Sequence, residues 1–466
     1  MTPTITRFAP SPTGNLHIGS ARTALINFII SKQSPLSKFY LRIEDTDRKR
    51  SKSEFKENIF KGLDWLGLKW EDEVQIQSER INRHQEIAYK LLDKNLAYKC
   101  ICSEEKLEKQ REIIKKNKSL SKKICIECKN SREIQNLTKG FVVRIKLPDE
   151  NILKIQDKVQ GSVEVSNKEL DDFIILRNDG SPTYMLSVVV DDNDLGVNLI
   201  VRGDDHLNNT FRQHYIYKYL DWNMPNYAHI PLIHGEDGSK LSKRHGAVDV
   251  LDFKKKGYLP EAIINNLILL GWSPGKENEL IEMNEIIKNF SIDKLSKSSS
   301  IFSYQKLNFF NNNYMRNEKG VEKFQEYCQG IEKLKELSQN NENKLKIIFD
   351  VYKKDLNNFA EIIDIANIYF SEDYKYNQNE KFSEEFKHLF PGFFNLILNI
   401  KDWNRENLEN NIKIYLNNNN IKFPIIGKPV RFLLINSYNG PSISDIFIIL
   451  GKKDSIERLN QYIEIN

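Results

Sequence analysis

The stretch Arg7-Phe-Ala-Pro-Ser-Pro-Thr-Gly-Asn-Leu-His-Ile-Gly-Ser20 decides the fold of the first part of the chain. The apolar run 5–8 predicts a strand, the prolines and glycines after it break the chain, and 17–31 is typical of a helix. A strand–loop–helix corner presents unpaired backbone N–H groups and a positive helix end to an anion. The stretch therefore predicts an α/β nucleotide site.

Three small or rigid residues and one imidazole give this corner its chemistry. Pro10 ends the strand, and Gly14 and Gly19 lack side chains, so a nucleotide can approach the backbone closely. The imidazole of His17 can donate a hydrogen bond to phosphate oxygens whose charge grows during displacement. A Pro/Gly turn followed by a helix-capping histidine is the ordinary alternative, and it would be favoured if residues 17–20 stood alone.

A second segment, Lys240-Leu-Ser-Lys-Arg244, follows a turn-rich stretch at 235–239. Mobile ammonium groups can clamp a departing pyrophosphate without locking the ground state. We assign Lys243 to the phosphates and Lys240 to a supporting role. A solvated basic loop is the usual meaning of such a run, but the matching N-terminal half-site favours catalysis.

Four of the five cysteines form two close pairs, Cys100 with Cys102 and Cys125 with Cys128. Four thiolates suit a tetrahedral structural Zn²⁺ site, and free thiols are the alternative. The odd total and this clustering argue against a secreted disulfide framework. No secretory signal pattern or bilayer-length apolar run is present, so the chain is predicted to be cytoplasmic with no membrane partner.

The segment that contains His17 resembles the HIGH signature of class I aminoacyl-tRNA synthetases, and the segment that contains Lys240 and Lys243 resembles their KMSKS signature. Together with the stretch at 41–47 they are most similar to the bacterial glutamyl-tRNA synthetase family. Ser20, Leu241 and Arg244 depart from the general signatures but follow the glutamyl branch. The resemblance implies ATP as substrate, Mg²⁺ with it, zinc in the cysteine-bearing insertion, and tRNA as partner. The net charge of +5 permits such a polyanion without requiring it.

Glutamate carries two carboxylates and one ammonium, so a selective site needs cations and an anion. Arg7 and Arg202 offer the bidentate geometry that carboxylates favour. Glu44 suits the ammonium, and Tyr184 offers a hydroxyl donor. The resemblance places these residues in the glutamate pocket together with Ser11. His206 is predicted to contact adenosine; a surface ion pair is the ordinary alternative for each charged residue.

The length suggests two to four domains, and the texture becomes helical beyond about residue 260. With the resemblance, we expect an α/β Rossmann-like parallel-sheet catalytic domain in two halves, 1–95 and 191–250. An inserted acceptor-binding region with the zinc module occupies 96–190. A helical junction at 251–320 and an all-α anticodon-binding domain at 321–466 follow. Residues 96–139 show no strong period.

The resemblance implies a monomeric ligase that activates L-glutamate with ATP and esterifies it to tRNA(Glu). One alternative is a nondiscriminating or tRNA(Gln)-specific enzyme that misacylates tRNA(Gln). A noncatalytic tRNA-binding paralogue is a second alternative. It is disfavoured because His17, Glu44 and Lys243 are all present.

Overall fold

The computed structural model describes residues 3–117, 122–149, 151–241, 248–275 and 279–465, without the side chains at 338 and 340. The chain forms two compact units. The first unit comprises Met1–Lys255 and Pro260–Phe310, and the second comprises Lys256–Leu259 and Asn311–Asn466.

The first unit alternates strands and helices. Its strands are β1 (Ile5–Phe8), β2 (Lys38–Ile43), β3 (Gln75–Ile76), β4 (Ala97–Cys100), β5 (Val142–Ile145), β6 (Ile152–Asp157), β7 (Gly161–Ser166), β8 (Ile174–Leu176), β9 (Leu199–Gly203), β10 (Asn226–Ile230), β11 (Ile233–His234) and β12 (Ser300–Ile301). Its helices are α1 (Ile18–Lys32), α2 (Ser53–Trp65), α3 (Ile81–Asp93), α4 (Glu104–Lys116), α5 (Ile126–Asn130), α6 (Arg132–Gln135), α7 (Tyr184–Asp194), α8 (Leu207–Tyr219), α9 (Val250–Lys255), α10 (Pro260–Leu269) and α11 (Met283–Asn289), and α12 (Tyr304–Met315) leads into the second unit.

Parallel strands carry the catalytic half of this unit. β1, β2 and β3 pair in parallel, as do β9, β10 and β6, while β7 adds antiparallel to β6. The amide of Asn198 donates to the carbonyl of Ile5, which sets β9 beside β1. α1 is buried on nearly all sides, as a helix that covers a parallel sheet must be. These elements confirm the predicted Rossmann-like α/β fold.

The cysteine-bearing region has more regular structure than its sequence indicates. β4, β5 and β8 form an antiparallel sheet, and α4 covers residues predicted to have no strong period. Only Leu107 of α4 is buried, so the helix has little apolar periodicity to detect. An apolar pattern marks a helix only when that helix has a wide buried face.

Helix boundaries elsewhere follow the sequence within about two residues. The helix α8 spans Leu207–Tyr219. The helix predicted from His17 begins one residue later, because His17 is the N-cap. Gly271 has a positive φ of +85° just after α10, a conformation in which glycine commonly ends a helix. No helix in the described ranges is long and apolar enough to cross a membrane.

The described residues of the second unit form helices and connecting loops, with no strand among them, which confirms the all-α prediction. Its remaining helices are α13 (Glu318–Gly330), α14 (Glu332–Tyr352), α15 (Ile362–Phe370), α16 (Glu384–Asn399), α17 (Arg405–Asn418), α18 (Phe423–Ile435) and α19 (Ile443–Ile465). Aromatic rings fill its interior: Phe324 stacks on Phe349 with centroids 4.0 Å apart, and Tyr462 meets Phe390 edge to face. α14 bends at Asn341 and α19 at Gly451.

Candidate active site

A cleft of about 420 Å³ opens at the carboxyl ends of β1 and β9, where α/β folds place their ligands. Sequence-predicted residues that line it are Arg7, Pro10, Ser11, His17, Gly19, Glu44, Tyr184, Arg202, His206 and Lys240. Gly14 is not among the lining residues, and nothing lies within 4 Å of where its Cβ would be. Lys243 lies outside the described residues.

A buried ion network holds Arg7 and Glu44 at the wall of the cleft. Asp192, on α7, accepts from Arg7 Nε at 3.0 Å and from Arg42 Nη1 at 2.5 Å. Arg42 Nη2 in turn donates to Glu44 Oε1 at 3.0 Å. Burial disfavours ionisation of Asp192, but Arg42 and Arg7 outweigh it and lower its pKa. Asp192 and Arg42 thus fix the two groups predicted to meet glutamate.

Arg202 lies on β9 with its guanidinium anchored by several acceptors. Its Nη2 donates to Thr210 Oγ1 at 2.7 Å and to Gln213 Oε1 at 2.9 Å, and its Nε donates to His229 Nε2 at 3.1 Å. Its Nη1 lies 3.5 Å from the Tyr184 hydroxyl, on the cleft side. Rigid anchoring of this kind orients an arginine for a carboxylate before the ligand arrives.

Tyr184 and His206 form a polar pair on the same wall. The Tyr184 hydroxyl lies 3.0 Å from His206 Nδ1, so it can donate there while accepting from Arg202. Burial, followed by the charge of Arg202, lowers the pKa of His206 to about 4. His206 is therefore a neutral imidazole near pH 7, able to donate from Nε2 to a nucleotide.

His17 caps α1 and turns its ring towards Ser20. His17 Nδ1 accepts from the Ser20 amide at 3.2 Å, and Nε2 lies 2.9 Å from Ser20 Oγ. Desolvation, followed by the charge of Lys240, lowers the pKa of His17. A neutral ring that accepts at Nδ1 carries its proton on Nε2, which is the donor that a phosphate needs. A Cβ on Gly19 would lie 3.0 Å from this ring, so the glycine leaves room for the histidine.

The two half-sites are joined through the backbone. Ile18 donates to the carbonyl of Val248, and Val250 donates to that of Leu16, so the chain after the lysine segment pairs with the chain around His17. The Asp249 carboxylate also accepts from the Asn15 side chain at 2.5 Å. Before that segment, residues 233–241 form a tight hairpin that carries Lys240 to the cleft.

The cysteines converge in a separate small core of the first unit. The Sγ atoms of Cys100, Cys102 and Cys125 lie within 4.8 Å of one another, and Cys102 Sγ lies 3.4 Å from Cys128 Sγ. Zinc–sulfur bonds of about 2.3 Å require sulfurs about 3.8 Å apart in a tetrahedron. The donor set and its spacing fit a structural zinc ion, so this cluster could hold zinc.

The sequence did not single out the residues that hydrogen-bond to the predicted site residues and hold them in place. Arg42 lies near the end of β2 and Glu44 directly follows that strand, and this spacing of two residues was the available clue to their contact. Asp192 lies on α7 shortly after the apolar run 188–190, and its carboxylate is buried in the core. Nothing in the spacing distinguishes Asp249, because its contact with Asn15 depends on tertiary pairing.

Comparison with known families agrees with this architecture. Residues 4–309 match the family described as tRNA synthetases class I (E and Q), catalytic domain. Residues 321–463 match the family described as anticodon binding domain. The two matches together span almost the whole chain.

Individual proteins are similar over the full length. Glutamate–tRNA ligase 2 of Ehrlichia chaffeensis is 41% identical over 465 residues, covering 98% of this chain and 97% of that protein. Glutamate–tRNA ligase 1 of Rickettsia canadensis is 40% identical over 470 residues, covering 98% and 99%. The crystal structure of a glutamate tRNA ligase from Elizabethkingia meningosepticum in complex with its amino acid superposes with a TM-score of 0.85, at 28% identity and 99% coverage of both chains.

Proposed function

The chain belongs to the class I tRNA synthetase family of glutamate and glutamine enzymes, and we propose that it is a glutamate–tRNA ligase. It activates L-glutamate with ATP to glutamyl-adenylate and transfers the glutamyl group to the 3′-terminal adenosine of tRNA(Glu). Full-length relatives about 40% identical to it carry that activity in their names, which supports the proposal.

One observation carries the substrate assignment: Arg7, Arg202 and Glu44 line a single cleft. Two guanidinium groups and one carboxylate complement the two carboxylates and one ammonium of glutamate. Burying these charges costs free energy that apolar residues would not cost. A substrate of opposite charge pattern explains why they are there. Ser11 and Tyr184 supply further polar contacts in the same cleft.

For the nucleotide we propose that His17 and Lys240, which both line the cleft, act together on the phosphates. His17 Nε2 would leave Ser20 and donate to a phosphate oxygen, most strongly as charge develops there. Pro10 and Gly19 shape the phosphate loop, and His206 contacts the adenosine. Gly14 and Lys243 keep their proposed ATP-binding roles from the sequence alone.

The chemistry is in-line displacement followed by acyl transfer. The glutamate α-carboxylate attacks the α-phosphate of ATP and pyrophosphate leaves; a terminal-adenosine hydroxyl, by family resemblance the 2′-OH, then attacks the adenylate carbonyl and AMP leaves. Mg²⁺ that accompanies ATP would supply additional positive charge at the phosphates. The protein contributes mainly by positioning and electrostatics, as in phosphoryl transfers generally.

We further propose that the cysteine cluster binds one structural Zn²⁺ through Cys100, Cys102, Cys125 and Cys128. The ion would tie β4 to α5 and take no part in the reaction. Elemental analysis of purified protein should find about one zinc per chain. Cys102→Ser should lose most of it, whereas Cys328→Ser, at a buried cysteine of the second unit, should keep it. Equal zinc in both variants would contradict the assignment.

The proposed function is tested by ATP–pyrophosphate exchange with glutamate, with tRNA(Glu) and tRNA(Gln) added separately. Glutamate-dependent exchange with tRNA(Glu) alone supports the proposal, and exchange with both tRNAs supports a nondiscriminating enzyme. No exchange under any condition would contradict an enzymatic function and favour a tRNA-binding paralogue. A monomeric state, a cytoplasmic location and the five-segment division remain parts of the proposal.

A further inference from the structure

Two buried residues stand behind Arg202: His229, which accepts from its Nε, and Asp157. Asp157 ends β6 and His229 lies on β10, next to the strand that carries Arg202. His229 is completely buried and Asp157 nearly so, and neither lines the cleft. An ionisable pair in the core is costly unless its groups are fully paired, so its contacts require an explanation.

A chain of hydrogen bonds connects Asp157 through His229 to Arg202. His229 Nδ1 lies 2.6 Å from Asp157 Oδ2, and His229 Nε2 lies 3.1 Å from both Arg202 Nε and Thr210 Oγ1. Arginine only donates, so His229 Nε2 must accept and the ring proton must be on Nδ1, directed at Asp157. Burial lowers the pKa of His229 against the opposing hydrogen bond from Asp157, which agrees with a neutral ring.

Asp157 is itself held in place. Its Oδ1 accepts from the amides of Val159 and Gln160, at 2.9 and 2.8 Å, in the turn that follows β6. The amide of His229 also donates to this carboxylate. A carboxylate with several N–H partners cannot rotate freely, so it fixes the tautomer and the ring plane of His229.

Thr210 closes the network. Its Oγ1 accepts from Arg202 Nη2 at 2.7 Å, and its hydroxyl can donate to His229 Nε2 in a hydrogen bond shared with Arg202 Nε. With Gln213 accepting the second Nη2 proton, the Nε and Nη2 side of the guanidinium is held by protein. The Nη1 side, near the Tyr184 hydroxyl, is the part directed to the cleft.

We propose that Asp157 and His229 are positioning residues that hold Arg202 with its Nη1 edge towards the glutamate carboxylate. The inference rests on the proposed function, because it assigns Arg202 to that substrate. Neither residue touches the substrate; they act through the orientation of Arg202. The competing explanation is purely structural, in which the pair only attaches β6 to β10.

Two substitutions at one position separate these explanations. In His229→Gln the side-chain amide lies near the position of Nε2, so it can still accept from Arg202 but no longer contacts Asp157. In His229→Asn the amide lies near the position of Nδ1, so it keeps the contact with Asp157 but no longer accepts from Arg202. Positioning predicts that the asparagine variant raises the KM for glutamate about tenfold or more, as expected for a lost hydrogen bond to a charged group. The KM for ATP should stay within about twofold in both variants. The glutamine variant should raise the KM for glutamate less than the asparagine variant, by about threefold, because it keeps an acceptor for Arg202 and loses only the hold of Asp157.

A matched control is available in the same unit. His84 and Asp191 form a second fully buried pair, with Nε2 and Oδ1 2.9 Å apart, that does not line the cleft. His84→Asn should lower the melting temperature without changing the KM for glutamate. If His229→Asn does not fold, Thr210→Val removes one hydroxyl of the network and should raise the glutamate KM several-fold.

The outcomes distinguish the inference from the function on which it rests. Wild-type exchange with an unchanged glutamate KM in His229→Asn, or in Thr210→Val if the first does not fold, would overturn the inference alone. Equal KM increases in the asparagine and glutamine variants would also overturn it, because they would indicate a general packing effect. Absence of glutamate-dependent exchange in the wild type would overturn the proposed function and the inference together.

Discussion

The two units of the molecule are built around different interiors. The first buries charged side chains in ion and hydrogen-bond networks, among them Arg7, Arg42, Asp192 and Arg202. In the described part of the second unit, Arg458 is the charged residue found buried, and aromatic rings such as Phe386 and Phe390 fill the interior. Because both units fold, a core of this size does not need buried charged side chains in order to fold.

The difference teaches where function should be sought. Apolar and aromatic packing stabilises a core through burial and contact, whereas a buried ion pair is often no better than an apolar replacement. The buried charges around Arg7 and Arg202 therefore mark groups held for a ligand rather than for stability. Those two networks end at the cleft, and the aromatic core of the second unit serves packing.

The largest effect that would test this contrast is at Asp192. Asp192→Asn leaves two buried guanidinium groups without their shared carboxylate, at a cost of about 3–5 kcal/mol in the free energy of unfolding. It also releases Arg7, so the KM for glutamate should rise at least about tenfold. Thermal melts and glutamate-dependent pyrophosphate exchange measure the two effects.

Phe390→Ala is the matched change in the second unit. The ring is fully buried beside Phe386 and Tyr462, with both centroid distances at 5.1 Å. Its removal should also cost about 3–5 kcal/mol in unfolding free energy, but the glutamate KM should not change. If Asp192→Asn left the KM for glutamate unchanged, the proposed difference between the two units would be wrong.

The next effect is the response to acid. Burial lowers the pKa of His229, and burial with the charge of Arg202 lowers that of His206 from 6.5 to about 4. The unfolded chain then binds protons more readily than the folded one, so stability present above pH 6.5 declines as the pH falls towards about 4. We expect the first unit to lose about 2 kcal/mol over this range.

His388, the histidine of the second unit, is exposed rather than buried. Hydrogen exchange of the full chain, followed by mass spectrometry at pH 7 and pH 4.5 with correction for intrinsic rates, reports both units at once. Protection should fall mainly in the first unit. An equal loss in both units would contradict the account.

The smallest effect is at the helix caps, which should behave alike in both units. Ser383 Oγ accepts from the Phe386 amide at 3.2 Å, and Ser103 Oγ from the Lys106 amide at 3.3 Å. Either serine to alanine should cost about 1 kcal/mol in the free energy of unfolding. Neither should change the glutamate KM, and denaturant titration with exchange assays would check both statements.

The cleft residues were identified from short motifs and from the family resemblance that those motifs carry. Arg7 and His17 belong to one strand–loop–helix stretch, whereas Tyr184 and Arg202 were assigned to the pocket by the resemblance. The fold class followed from the same local patterns, since a strand, a break and an amphipathic helix are encoded by neighbours in the chain. The aromatic helices of the second unit were predicted for the same reason.

The supporting residues could not be predicted because tertiary structure brings them together. Asp192 meets Arg7 across 185 residues of sequence, and Asp157 meets His229 across 72. A lone carboxylate in a sequence has the same appearance whether it is solvated or paired in the core. Gly14 shows the converse limit, since it fits the motif but does not line the cleft.

The most direct test of the central claim is aminoacylation of tRNA(Glu) with labelled glutamate by the wild type and by Arg202→Ala. The account predicts that the wild type charges the tRNA. In the variant, kcat/KM for glutamate should fall about a hundredfold or more, as expected for loss of a paired buried arginine, with the KM for ATP nearly unchanged. A variant that charges tRNA as well as the wild type would contradict the claim that the buried charge at Arg202 serves glutamate.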